Sequence, residues 1–101
     1  HVNDVAEAHI KCIPFLKKNK KKYYKFNIGV GKGVSILELI HQFKKSTGIN
    51  IPYKFGKRRQ GDVAELWSSC RKSKKLLKWS PKYNLEDMIL SAWNWEKKSK
   101  K

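Results

Sequence analysis

The chain has 101 residues, 40% of them apolar, with four each of Trp, Tyr and Phe: one small domain with a modest core, and too apolar for a disordered segment. Lys and Arg number 24 against 8 acidic residues, a net charge of +16 that invites a polyanion reading. No apolar run approaches the roughly 18 residues of a membrane span, and the opening HVNDVAEAH lacks the basic and greasy regions of a signal peptide.

The distribution of charge is more informative than its sum. The lysines run together in KKNKKK (17–22), SKKLLK (73–78) and KKSKK (97–101), which read as a loop, a helix exterior and a frayed tail. Base-reading surfaces favour arginine, whose planar fork matches guanine and phosphate, and the chain has only Arg58, Arg59 and Arg71. A solvated lysine surface is therefore the favoured reading, with nucleic-acid contact no more than non-specific. Cys12 and Cys70 fit free, partly buried thiols in a reducing, cytoplasmic setting, and with His1, His9 and His41 they form no metal spacing.

In chain order, Asp4 with Glu7 makes a capping-box pattern opening a first helix, along which Val5, His9, Cys12, Ile13 and Leu16 recur at helical spacing. Pro14 predicts a kink or an early end. After the lysine loop, YYKFNI (23–28) reads as a strand, and GVGKGV (29–34) as a glycine-dense turn. Ser35 and Glu38 cap a second helix with the apolar stripe Ile36, Leu39, Ile40 and Phe43, which Gly48 ends. INIPYKF (49–55) reads as an edge strand and VAELWSS (63–69) as extended, partly buried through Trp67. Arg71 to Leu77 predicts a short basic helix. Asn84 with Asp87 opens the last one, whose buried face is Leu85, Met88, Ile89, Ala92 and Trp93. The fold class expected is α/β, mostly helices with a few short strands, as one unit over residues 1–101.

Candidate chemistry is sparse. The loop Gly29-x-Gly31-x-Gly33 resembles a phosphate cradle, yet Val34 stands where a dinucleotide fingerprint needs glycine, and no Gly-Lys-Ser/Thr closes a P-loop. No nucleophile with a base, no Tyr-x-x-x-Lys and no paired carboxylates are present, so no catalytic or metal-binding residue is assigned. RRQGD (58–62) is different. In extended backbone its two arginines point to opposite faces; one could grip a phosphate oxygen pair bidentately while Asp62 meets a vicinal diol such as a ribose. The alternative, a surface Arg–Asp ion pair at a turn, is equally open on these residues alone.

HVNDVAEAHI, NIGVGKGVSILELI, RRQGDVAELW, LLKW and AWNWEKK resemble, in this order, the UDP-glucose 4-epimerases of the extended short-chain dehydrogenase/reductase family. The likeness runs from His1 to about Lys97. It implies the C-terminal, UDP-sugar-binding portion of such an enzyme, with the Rossmann core and the NAD-binding and catalytic groups absent from this chain, which alone would be inactive. By the same resemblance Arg59 grips the diphosphate, Asp62 binds the uridine ribose and Ile36 packs near the uracil. Leu66 stands where the family limits sugar size, and its intermediate bulk leaves N-acetylated hexoses open. The activity implied is interconversion of UDP-glucose and UDP-galactose: a hydride leaves hexose C4 for NAD and returns to the other face. A decarboxylase or dehydratase of the same family, or a basic polyanion-binding module, is the alternative. A homodimer is implied for the complete enzyme, and self-association through bare strand edges for the isolated chain.

Overall fold

The computed structural model describes residues 1–19 and 23–100. It has four helices: α1 (Val2–Lys18), α2 (Ile36–Thr47), α3 (Arg71–Leu77) and α4 (Leu85–Ser99). They belong to two compact units, His1–Gly33 with Trp67–Tyr83, and Val34–Leu66 with Asn84–Lys101. Helices α1 and α3 pack together in the first, α2 and α4 in the second.

No strand is found among the described residues, which corrects the α/β expectation. YYKFNI nevertheless keeps the period of two: Tyr24, Phe26 and Ile28 are half-buried, while Tyr23, Lys25 and Asn27 are exposed. A strand also needs a partner to complete its ladder. Here the carbonyls of Asn27 and Gly29 accept instead from the Ser73 hydroxyl and the Cys70 thiol, both at 2.6 Å. INIPYKF likewise forms no strand, and only Ile51 within 50–55 is half-buried. Trp67, expected to be partly buried, is 55% exposed.

The core of the first unit is Ala8, Leu77 and Trp79, ringed by Cys12, Phe15, Phe26, Ile28 and Cys70. Both cysteines are free and half-buried. The face of α1 that meets this core carries Asp4, Ala8, Cys12 and Phe15, a rotation from the predicted stripe. Val5, Ile13 and Leu16 lie exposed with Val2, so α1 has a second, open apolar face. Pro14 removes a backbone donor but does not end the helix, which continues to Lys18. There Asn19 closes it by donating its backbone and side-chain N–H groups to the Phe15 carbonyl. Lys17 and Lys18 therefore belong to the helix rather than to a loop, and Lys20 to Lys22 lie outside the described residues. The tail expected from Lys97 is likewise helical through Ser99.

Asp4 does not cap α1. That place belongs to His1, whose Nδ1 accepts from the Asn3 N–H at 3.1 Å and whose ring stacks on Tyr83 at 4.2 Å. Asp4 is 2% exposed. Its carboxylate accepts the backbone N–H groups of Lys82 (3.0 Å) and Tyr83 (3.2 Å), and its carbonyl accepts the Trp79 indole N–H (2.8 Å). Glu7, one turn on, pairs with Lys82 at 2.8 Å and Lys11 at 3.5 Å.

The second unit is more thinly packed. Both predicted capping boxes form in full, Ser35 with Glu38 and Asn84 with Asp87, and Gly48 ends α2 at φ +74. Between the helices Phe43 meets Trp93 edge-on at 5.5 Å. Ile89 is the one large apolar residue fully buried among those described in this unit. Beside it an apolar cavity of about 330 Å³ runs between Leu39, Phe43, Ile51 and Trp93.

Asp4→Ala removes the acceptor of two backbone donors and is expected to lower stability by about 2–3 kcal/mol, read as a shift of the urea midpoint. Glu7 gives the first unit a pH dependence. The hydrogen bond from Lys82 holds its carboxyl below the ordinary value of 4.5, against a weaker opposing effect of burial. That contribution is present above pH 4.5 and fades as pH falls through the lowered value. The same hydrogen bond raises Lys82 above 10.5, so its share is present below 10.5 and fades at higher pH. Lys82→Ala is expected to flatten the acid limb of a stability–pH profile; an unchanged limb would remove the pair from the account.

Candidate functional site

The predicted site residues all lie in the second unit. The segment 59–62 is a tight turn in which the Asp62 N–H donates to the Arg59 carbonyl at 3.3 Å. Gly61 stands third at φ +88, the position a type II turn reserves for glycine. Nothing lies within 4 Å of where its Cβ would be, so the constraint is conformational rather than steric.

This turn changes the geometry expected from an extended chain. Both arginines bend toward Asp62 instead of pointing apart: Arg58 donates through Nη2 to the Asp62 carbonyl at 3.0 Å, and Arg59 through Nε to its carboxylate at 3.2 Å. The Arg59 side chain is 86% exposed and that of Asp62 46%. An ion pair this open contributes no more than about 1 kcal/mol, so either member is readily exchanged for a more highly charged ligand. The guanidinium has five donors, of which Nε–H is the one engaged with Asp62.

Ile36 is the first residue of α2, directly after the Ser35 cap, and is exposed. The box around it is reciprocal: Ser35 N–H donates to Glu38 Oε2 at 2.7 Å, and Glu38 N–H to Ser35 Oγ at 3.1 Å. Leu66 is also exposed, at 87%. The structure thus brings Arg59 and Asp62 into contact and leaves Ile36 and Leu66 as open apolar side chains of the same unit.

The glycine loop proves to be a packing device at Gly29, while Gly33 has room for a Cβ. A Cβ on Gly29 would meet the Ser68 Cβ at 3.0 Å, and one on Gly33 would touch the Trp67 ring at 3.8 Å. Among the described residues there is no cluster of three or more metal-ligating side chains. The structural role that the sequence did not reveal is that of Asp4. Its partners lie 75 to 79 positions away, beyond any local pattern.

No family model matches the sequence. Individual relatives do. UDP-glucose 4-epimerase 4 of Oryza sativa subsp. japonica is 40% identical over 99 residues, covering 98% of this chain and 27% of the relative. UDP-glucose 4-epimerase of Bacillus subtilis (strain 168) is 38% identical over 96 residues, covering 95% and 28%. Among solved structures, the UDP-glucose 4-epimerase from Stenotrophomonas maltophila, with bound NAD and formylated UDP-arabinopyranose, aligns with a TM-score of 0.92. Its identity is 34%, over 99% of this chain and 30% of that one. The enzyme from Bifidobacterium longum, in complex with NAD+ and UDP, gives a TM-score of 0.87 at 36% identity, over 97% and 29%. The chain therefore spans between a quarter and a third of the length of these proteins. In sequence and in fold it is homologous to the C-terminal part of the UDP-glucose 4-epimerases.

Proposed function

We propose that this chain is the part of an NAD-dependent UDP-glucose/UDP-galactose 4-epimerase that anchors the UDP moiety. The observation that carries the reading is the 59–62 turn, which presents a guanidinium and a carboxylate in contact at an open surface. A diphosphate takes the guanidinium fork of Arg59 bidentately. The Asp62 carboxylate, released from Arg59, accepts the hydroxyl protons of the ribose diol. Ile36 offers the uracil an apolar surface, and Leu66 meets the sugar. Solved relatives of the same fold hold UDP or a UDP-sugar, which supports this assignment.

The residues described here do not fit NAD as a resident group. The missing side chain of Gly29 makes room for Ser68, so this glycine is accounted for by packing rather than by a cofactor. NAD, which supplies hydride exchange in the proposed reaction, is assigned to the remainder of an epimerase chain. What this segment contributes is a fixed nucleotide around which a hexose can turn. The open face of α1, with Val2, Val5, Ile13 and Leu16, fits a segment that works against further protein. On its own, the 101-residue chain is expected to leave UDP-galactose unchanged even with NAD added.

Arg59→Ala in the complete enzyme is expected to weaken UDP binding by about 2–3 kcal/mol, or roughly 30- to 150-fold, in a calorimetric titration. Lys57→Ala serves as the control for bulk charge. If Arg59→Ala and Lys57→Ala weaken binding equally, the assignment fails. Gly61→Ala forces a side chain into left-handed backbone at a cost of about 1 kcal/mol. It is expected to loosen UDP binding in the same direction by a smaller factor, with the fold intact by circular dichroism.

A further inference from the structure

The glycine loop that resembled a phosphate cradle forms one wall of a second cavity, within the first unit. This cavity measures about 450 Å³, a volume usual for small-molecule sites. Val30 and Gly31 line it on the loop side; Trp67, Arg71, Lys74 and Ser80 are among the residues facing them. It shares no residue with the Arg59–Asp62 turn.

Three features give this cavity a chemical preference. Arg71 and Lys74 stand three residues apart on α3, the spacing that places two side chains on one helix face. Neither has an acidic partner among the described residues, as is true of most of the chain's cations. Arg71 is also one of only three arginines in a chain that otherwise uses lysine, and a guanidinium matches phosphate oxygens where an ammonium is only a point charge. The third feature is Trp67, which lines the same cavity, is 55% exposed and carries a flat apolar ring to stack upon.

We propose that this cavity binds a small phosphate monoester bearing a flat ring, with Arg71 and Lys74 on the phosphate and Trp67 against the ring. The proposal does not rest on the UDP reading, because the residues differ and the ligand needs neither a diphosphate nor a diol.

Phenyl phosphate is a suitable probe, since it carries a ring and a phosphate and lacks both of those groups. Titrated into the 101-residue chain at constant ionic strength, it is expected to bind saturably with one site. Arg71→Ala with Lys74→Ala should weaken it about tenfold or more, while Lys97→Ala with Lys98→Ala leaves it unchanged. Trp67→Ala should weaken phenyl phosphate but not inorganic phosphate. In the unsubstituted chain, phenyl phosphate should slow alkylation of Cys70, which also lines the cavity, and spare Cys12. Equal losses in the α3 and tail variants would reduce the binding to the diffuse attraction of a +16 surface and overturn the proposal. Absence of saturation, or equal protection of both thiols, would do the same.

Discussion

The first unit depends on one buried carboxylate. Asp4 sits in the first turn of α1, where its charge favours the positive end of the helix. Its oxygens also hold the backbone at Lys82 and Tyr83, while its carbonyl fixes the indole of Trp79, the largest fully buried side chain. Three long-range hydrogen bonds thus join the start of the chain to the segment between α3 and α4. A buried carboxylate is costly unless its oxygens are fully used, and no buried side-chain polar atom is left without a partner among the described residues. The ring of Trp79 then supplies the apolar mass around which Ala8, Leu77, Phe15 and Phe26 gather.

The second unit has a different economy. Its helices are set by reciprocal caps and a glycine stop, local devices that need little from a core. What it exposes is chemical rather than structural: a turn with a guanidinium and a carboxylate, and two open apolar side chains at Ile36 and Leu66. Exposed groups of this kind add little to stability, and that leaves them available to a ligand. Binding residues commonly sit on such loops beside a firmer scaffold.

Legibility followed the range of the interaction. The capping boxes at Ser35 and Asn84 and the stop at Gly48 were readable because each is closed by atoms within four residues. The same logic misled at the start, where Asp4 and Glu7 have box spacing but Asp4 is drawn inward by Lys82 and Tyr83, leaving His1 to cap. The side chains of YYKFNI alternate as a strand would, yet their neighbours are Phe15, Ser73 and Cys70 rather than a second strand. Around RRQGD the residue types and the turn that Gly61 permits were legible, and the directions of the two arginines were not, since the opposite-facing picture assumed extended backbone there.

By itself, the sequence determined the helices, the caps of α2 and α4 and the unusual placement of three arginines among the lysines. These follow from periodicity and side-chain chemistry acting over one or two turns of chain. Only the tertiary structure decided which face of α1 is buried, that Asp4 is a clamp rather than a cap, and that both arginines converge on Asp62. The first two rest on buried groups whose partners are chosen by proximity in space rather than along the chain; the third rests on the turn at Gly61, which brings residues three and four apart into contact.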